Sequence, residues 1–272
     1  MRLALVQTRP ELGKVDENLA AMGELVESLE TDVLCFPELC SSGYAIDDRN
    51  RFLDLAEDGG GGPATNFFAE LAERKDAAVV AGFPFRDGGR LFNVSGLFRP
   101  GEQPVLYRKL HLFAREKDVF DPGDRPPPVV EFRGARLGMM ICFDWVFPEV
   151  GRLLALAGAD LILHPSNLVT PYCQRAMFAR AVENGVFIAT VNRVGGESYP
   201  DGTHLEFTGG SQLMGHRGDL LQELPPREIA AAVVDLDPRA ARDKWLTPSN
   251  HLLKDRRVEF FPPLARDIRN ED

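Results

Sequence analysis

The chain has few of the residues and patterns that define several classes of protein. Its 272 residues include only four cysteines and no C-x-x-C pair, which argues against a disulfide framework and a structural zinc site. No apolar run approaches the ~20 residues that a membrane-spanning helix needs. Lysine and arginine total 31 against 41 for aspartate and glutamate. The net charge of −10 argues against nucleic acid or an anionic membrane as a partner, because both attract clustered cations.

These absences narrow the setting in which we expect the protein to act. Cys35, Cys40, Cys142 and Cys173 are expected to be free thiols, since a chain of this length does not need disulfides to stabilise its core. Residues 1–10 contain too short an apolar stretch for a signal peptide and are interpreted as a first strand. We therefore expect a cytoplasmic protein without a metal site.

What the chain does contain is an alternation of apolar strands and amphipathic helices. Predicted strands cover residues 3–7, 33–36, 77–83, 90–98, 104–110, 137–141, 160–163, 186–191, 210–214 and 229–234. The first predicted helix follows Asp16, which is its cap, and the second covers residues 64–74. The third begins at Pro148, and the fourth covers residues 172–184 with Gly185 as its C-terminal cap. Without a linker or repeat, this pattern predicts one α/β domain over residues 1–272. Its tail, from about Leu246, is expected to pack on the surface or on a partner subunit.

Three reactive side chains stand at or near the ends of predicted strands, where α/β sheets commonly hold their ligands. They are Glu38, Lys109 and Cys142. Each also has a structural alternative: Glu38 could belong to a turn, Lys109 could be a solvated charge, and Cys142 could be a small core residue. Together they form a coherent chemical set, because a thiol nucleophile needs a base and a group that stabilises the developing anion.

The segments around these residues resemble the nitrilase, or carbon–nitrogen hydrolase, superfamily. The resemblance rests on Phe36-Pro37-Glu38, Tyr107-Arg108-Lys109-Leu110-His111-Leu112-Phe113, Ile141-Cys142-Phe143-Asp144, the segment 160–167, the segment 180–184 and the segment 192–195. Each motif is modest alone, but together they occur in the order and spacing of that superfamily over roughly residues 1–260. The resemblance implies a four-layer α-β-β-α sandwich, a Glu-Lys-Cys triad and close pairing of subunits in a homodimer.

The resemblance also implies a role for each residue of the triad. Cys142 is expected to be the nucleophile, Glu38 the general base, and Lys109 the cation that stabilises the tetrahedral intermediate. The peptide N–H of Phe143 is expected to be a second oxyanion donor. We expect Lys109 and a helix N-terminus at Cys142 to lower the pKa of its thiol. Burial of the base in a closed pocket should raise a carboxyl pKa towards ~6–7.

Further positions are assigned more loosely. Many superfamily members have another glutamate after the lysine segment, and Glu116 fits that place with Asp118 as its rival. Asp144 and Trp145, directly after the cysteine motif, are predicted to bind substrate or shape the turn. Asn167, after a strand end, is predicted to line the pocket, with a role in turn formation as the alternative.

The histidines offer a different interpretation. His111 or His164 could pair with Cys142 as in papain-type proteases. We favour structural hydrogen bonding for both, because each belongs to a strand edge or turn. For Arg175 and Arg180 we favour ion pairing over binding of a substrate carboxylate.

The implied reaction is acyl transfer to the thiol, release of ammonia and hydrolysis of a thioester by water, with no metal or organic cofactor. The Cys-Phe-Asp sequence favours a small linear amide, of the ω-amide or N-carbamoyl type. A nitrile substrate is the first alternative. A glutaminase or lipid-linked acyltransferase module would need a synthetase domain or membrane spans that we do not expect here. An alternative of another class is a non-catalytic interaction protein on the same fold.

Overall fold

The computed structural model of the protein describes residues 1–45 and 48–267. Predictions about residues 46–47 in the loop after Gly43, and about residues 268–272 of the tail, lie outside the described residues. Within the described ranges, no helix has both the length and the apolar character needed to cross a membrane.

Helices and strands alternate along the first half of the chain and again along the second. The helices are Val15–Val26 (α1), Arg49–Leu55 (α2), Pro63–Lys75 (α3), Glu116–Val119 (α4), Pro148–Leu156 (α5) and Tyr172–Asn184 (α6). The first strands are Arg2–Gln7 (β1), Val33–Cys35 (β2), Ala78–Asp87 (β3), Arg90–Phe98 (β4), Val105–Arg108 (β5), Val129–Phe132 (β6), Ala135–Met139 (β7) and Leu161–Pro165 (β8). The remaining strands are Phe187–Val191 (β9), Gly196–Ser198 (β10), His204–Glu206 (β11), Gln212–Met214 (β12), Leu220–Glu223 (β13), Ala230–Asp235 (β14), Trp245–Thr247 (β15) and Asn250–His251 (β16).

The strands of the described chain form two six-stranded sheets with the same internal plan. The first has the order β14-β1-β2-β3-β4-β5, and the second has the order β13-β12-β9-β8-β7-β6. In each sheet three neighbouring strands are parallel and the outer strands are antiparallel. The parallel strands carry long apolar runs, as expected for strands covered on both faces.

The two sheets pack face to face because alternate side chains of each strand point to opposite sides. Along β1, Leu3 and Leu5 are fully buried in the cluster that joins the two sheets. Ala4 and Val6 belong instead to the cluster under α1 and α3. Helices α5 and α6 cover the outer face of the second sheet. The order of layers confirms the predicted α-β-β-α sandwich.

Several local predictions differ from the structure. Strand β7 ends at Met139 rather than at residue 141, so two residues separate it from Cys142. Strands β6 and β13 were not predicted, since both are edge strands without a buried apolar run. Helix α1 begins at Val15, and Asp16 lies in its first turn instead of capping it. There its charge complements the positive end of the helix dipole.

The chain leading into the tail packs at the C-terminal end of α6, where Lys244 and Leu252 lie next to Gly185. The ammonium of Lys244 donates to the carbonyl oxygens of Asn184 and Gly185 at 3.1 and 2.7 Å, and so caps the C-terminus of that helix. Further along, Phe260 and Leu264 are 67% and 69% exposed. Contact of this segment with a partner subunit stays a prediction.

Candidate active site

Glu38, Lys109 and Glu116 form a buried cluster between the two sheets and the connecting loops. The Nζ atom of Lys109 lies 2.6 Å from Oε1 of Glu38 and 2.8 Å from Oε1 of Glu116. The side chains of Lys109 and Glu38 have no exposed surface, and that of Glu116 is 4% exposed. Lys109 follows β5 directly, Glu38 lies in the turn after β2, and Glu116 begins α4. Three separate segments therefore meet at one ammonium group.

The turn that carries Glu38 is clamped against β3. The backbone of Gly82 donates to the carbonyl of Pro37 at 3.1 Å and accepts from the amide of Cys40 at 2.9 Å. Oε1 of Glu38 accepts a second hydrogen bond, from Nδ2 of Asn93, at 2.8 Å. Oε2 has no hydrogen-bond partner within the described protein. One oxygen of the carboxylate is thus held by the protein, and the other is available to a reacting group.

Cys142 occupies a strained turn after β7. Its backbone φ is +38°, a left-handed conformation that residues other than glycine rarely adopt. Nε2 of His164 donates a hydrogen bond to the carbonyl oxygen of Cys142 at 2.9 Å. Cys142 begins a short 3₁₀ turn that ends at Val146, and helix α5 begins only at Pro148. The predicted α-helix N-terminus at the sulfur is therefore replaced by a 3₁₀ turn.

The electrostatics correct the expectation for the thiol. Burial raises the pKa of Cys142 well above its usual range, and the carboxylate of Glu38 adds to this effect. Lys109 acts in the opposite direction but does not compensate. Two carboxylates surround that single ammonium, so the cluster favours a neutral thiol. The thiol of Cys142 is accordingly neutral, not a thiolate, near pH 7.

Lys109 itself remains charged for the same reason. Burial alone would lower its pKa, but the carboxylates of Glu116 and Glu38 raise the pKa above its ordinary value. The cation thus keeps its proton throughout the pH range in which proteins are folded. It is suited to stabilise negative charge and unsuited to act as a base.

The structure distinguishes Glu116 from its rival Asp118. Glu116 is buried, and its carboxylate accepts from the hydroxyl of Tyr44 at 2.7 Å and from the amide of Phe113 at 3.2 Å, besides Lys109. Asp118 is exposed on the other side of the short helix. The pKa of Glu116 is raised to about 7. Burial is the largest cause and Glu38 adds to it, while Lys109 acts in the opposite direction. Only Glu116 belongs to the cluster.

Asp144 organises the turn and is enclosed by protein, which fits the turn-shaping alternative rather than substrate binding. Its carboxylate accepts from the hydroxyl of Tyr107 at 2.8 Å, from the amide of Ile141 at 3.0 Å and from the ring of His111 at 2.8 Å. The side chain has no exposed surface. His111 also stacks on Phe147 with ring centroids 3.7 Å apart, so its predicted structural role is confirmed.

His164 is likewise structural rather than the partner of the thiol. Its ring contacts the carbonyl of Cys142 on one side and the hydroxyl of Thr190 on the other, at 3.0 Å. Burial lowers its pKa to about 4, so the ring is neutral near pH 7. Arg180 pairs with Glu183 at 2.9 Å, as predicted. The same prediction is wrong for Arg175, which is exposed on α6 and forms no ion pair among the described residues.

A cavity of about 300 Å³ opens above the sulfur. Its aromatic wall is formed by Phe113, Phe143, Trp145 and Tyr172. Its aliphatic wall is formed by Val146, Leu168 and Val169. Cys142, Asn167 and Thr170 complete the lining. Of the residues predicted to contact substrate, the structure therefore brings Phe143, Trp145 and Asn167 to the cavity and leaves Asp144 beneath it.

Sequence reasoning missed the residues that support the cluster. Tyr44 donates to the carboxylate of Glu116, and Asn93 donates to that of Glu38. The loop of Tyr44 is held by Glu197, which accepts from the amides of Tyr44 and Ala45 at 2.8 and 2.7 Å. Glu197 is itself buried in an ion pair with Arg193. Asn93 gave a usable signal, since it is a polar residue inside the apolar run of β4. The Arg193–Glu197 pair at i, i+4 spacing gave none, because such pairs are common on exposed helices.

Comparison with known proteins decides the family. The sequence profile of the carbon–nitrogen hydrolases matches residues 2–244. The chain belongs to the carbon–nitrogen hydrolase family. The resemblance drawn from the motifs is thereby confirmed, and Cys142 lies in the turn where such an enzyme has its cysteine.

Relatives of this carbon–nitrogen hydrolase span nearly its full length. It is 36% identical to a nitrilase from Pyrococcus abyssi over 264 residues, which cover 96% of this chain and 99% of the relative. It is also 36% identical to an (R)-stereoselective amidase from a Pseudomonas species over 265 residues, covering 95% and 92%. Among solved structures, a mutant amidase of the nitrilase superfamily from Nesterenkonia AN1 superposes with a TM-score of 0.81, 29% identity and 97% coverage of both chains. The enzyme is thus a carbon–nitrogen hydrolase of the nitrilase and amidase type.

Proposed function

We propose that this hydrolase cleaves the C–N bond of a small linear amide through a thioester on Cys142. The free Oε2 of Glu38 takes the thiol proton while the sulfur attacks the carbonyl carbon. The carbonyl oxygen becomes an oxyanion, which the ammonium of Lys109 and the peptide N–H of Phe143 stabilise. Glu38 then delivers its proton to the leaving nitrogen, and the C–N bond breaks to release ammonia and the thioester.

The second half returns the enzyme to its starting state. Glu38 removes a proton from water, which attacks the thioester carbon, and the same two donors stabilise the second oxyanion. Collapse breaks the C–S bond, the thiolate regains the proton from Glu38, and the acid leaves. The elements of water are consumed, so no other reactant is required.

One observation carries this proposal. A buried carboxylate shares an ammonium with a second carboxylate, keeps one oxygen unpartnered, and lies close enough to Cys142 to raise its thiol pKa. A structural ion pair would have its oxygens satisfied, because buried unpaired polar atoms are costly. A relay that moves a proton between sulfur, nitrogen and water needs this open oxygen.

Ammonia release from a panel of amides and nitriles tests the proposal. We expect turnover of amides by the native enzyme, near-total loss with Cys142→Ala, and a mass increment equal to the acyl group on the Cys142 peptide during turnover. The panel includes ω-amides, N-carbamoyl compounds and the aliphatic nitriles of the alternative substrate class. Absence of ammonia from every compound, with Cys142 shown to be reduced, would refute an enzyme of this type and favour the non-catalytic alternative.

The setting of the enzyme is proposed on separate grounds. Four free cysteines, all buried, suit the reducing cytoplasm. The outer face of α5 and α6 exposes Leu153, Leu156 and Phe178 at 47%, 49% and 55%, and we propose that a second copy covers this face in a homodimer. Light scattering after gel filtration should give twice the chain mass, and Phe178→Glu should reduce it to one. A native monomer would contradict the dimer without affecting the proposed chemistry.

A further inference from the structure

The wall of the cavity above Cys142 is mostly apolar, although many ω-amides have a carboxylate at the far end that this wall would have to accept. Four aromatic and three aliphatic residues form most of it, and its polar members are the cysteine, Asn167 and Thr170. Among residues 1–45 and 48–267, no lysine, arginine or histidine lines this wall. The catalytic ammonium of Lys109 does not serve this wall, because it lies outside the lining, between Glu38 and Glu116.

The two arginines of α6 that could bind a substrate carboxylate do not line this wall either. Arg180 donates to the carbonyl of Trp145 at 3.1 Å and pairs with Glu183, and Arg175 is exposed. A carboxylate that packed against this apolar wall would give up part of its hydration without gaining a cation. Burial of an unpaired carboxylate is strongly unfavourable.

Asn167 indicates what the cavity does accept. This side chain is 4% exposed, it lines the cavity, and neither its oxygen nor its nitrogen has a hydrogen-bond partner in the described protein. Buried amide groups are almost always hydrogen-bonded, so an unpartnered one on a residue that lines a cavity points to a ligand contact. Because the group is neutral and both donates and accepts, it suits an uncharged polar group of the substrate.

Resting on the proposed function, we infer that the substrate is an amide whose acyl group is uncharged and largely apolar, packed against the aromatic wall, with Asn167 as its neutral hydrogen-bonding partner. This narrows the predicted ω-amide and N-carbamoyl classes, since members of either class that end in a carboxylate are selected against. A cavity of about 300 Å³ limits the acyl group to a short chain or a single ring.

Matched substrates test the inference on the native enzyme. Pentanamide and glutaramate differ only in a terminal methyl group against a carboxylate, and N-propylurea and N-carbamoyl-β-alanine differ in the same way. We expect kcat/KM for the uncharged member of a pair to exceed that of its partner by ~10²-fold or more. Equal values, or a preference for the carboxylate, would overturn the inference while leaving the hydrolase intact. No ammonia from any of the four would refute the proposed function and the inference with it.

A charge placed in the wall provides an independent check. Thr170→Arg puts a guanidinium on the cavity lining, and it should raise kcat/KM for glutaramate relative to pentanamide by at least ~10-fold. Ala69→Arg adds the same charge on the exposed side of α3 and should leave this ratio unchanged. If the ratio stays at its native value in Thr170→Arg, the acyl chain does not lie along this wall and the inference fails.

Discussion

The carbonyl oxygen of Cys142 accepts a hydrogen bond from Nε2 of His164, and this contact ties the strained turn to the neighbouring strand β8. The left-handed backbone of Cys142 costs free energy that surrounding contacts must offset. The ring is neutral near pH 7, so with Nε2 donating to this carbonyl, Nδ1 can accept from the hydroxyl of Thr190.

We predict that His164 makes the fold acid-sensitive. Burial lowers its pKa to about 4 from an ordinary value of 6.5, so the unfolded chain binds a proton in this interval while the folded protein does not. The stabilisation from the neutral ring is therefore complete above pH 6.5 and is lost as the pH falls towards 4, by about 3 kcal/mol in total. In His164→Asn, the free energy of unfolding in urea should fall less between these two pH values than in the native protein. An identical fall in both proteins would contradict the prediction.

Glu38 should have two effects on the thiol of Cys142: its charge raises the thiol pKa, and its carboxylate removes the thiol proton during turnover. Its charge is one cause of the raised pKa of Cys142, so Glu38→Gln should move the half-maximal pH for iodoacetamide alkylation of Cys142 downwards. Turnover should nevertheless fall by ~10²–10⁴-fold, because the general base is absent. Asp118→Asn, an exposed neighbour of the cluster, is the control and should alter neither property. Alkylation that shifts to higher pH in Glu38→Gln would show that the carboxylate does not act on the sulfur.

Glu116 is expected to set the acid limb of the pH–rate profile. Three donors, from Lys109, Tyr44 and Phe113, are directed at its carboxylate, so the ionised form is the one that the site is built to hold. With its pKa at about 7, kcat/KM should decline below that pH. Tyr44→Phe removes a donor that lowers this pKa, so the limb should move to higher pH. Tyr107→Phe removes a similar buried hydrogen bond, the one to Asp144. It should lower the rate without moving the acid limb of the pH–rate profile.

The candidate site residues and the sandwich could be predicted from the sequence for different reasons. Glu38, Lys109 and Cys142 stand at strand ends next to recognisable motifs, and those motifs also implied the layer order. Periodicity alone predicted only α/β, because a buried strand such as β8 has the same apolar run in any α/β sheet. Its prediction failed at the edge strands β6 and β13, neither of which contains a fully buried residue.

The electrostatics of the site could not be predicted from the sequence. A thiol beside a lysine and a turn suggests a lowered pKa, and the opposite outcome depends on how many carboxylates share that lysine. Glu38 and Glu116 are 78 positions apart in the chain, and only the folded structure shows both on one Nζ atom. The sign of the pKa shift at Cys142 follows first from burial of the thiol and then from this charge balance.

Gly82 should be essential to the position of Glu38 because no side chain fits between β3 and the turn. A Cβ atom on Gly82 would lie 2.5 Å from the amide nitrogen of Leu39 and 2.6 Å from Cα of Glu38, both of which are backbone atoms. Gly82→Ala must therefore displace the turn, at a cost of ~1–3 kcal/mol or more in the free energy of unfolding. A moved carboxylate also loses its contact with Lys109, so kcat should fall by at least ~10-fold in the fraction that remains folded. Gly59→Ala, where a Cβ meets no atom within 4 Å, is the matched control and should leave both quantities unchanged. Native kcat in folded Gly82→Ala would mean that the turn tolerates the shift and that its clamp does not position the base.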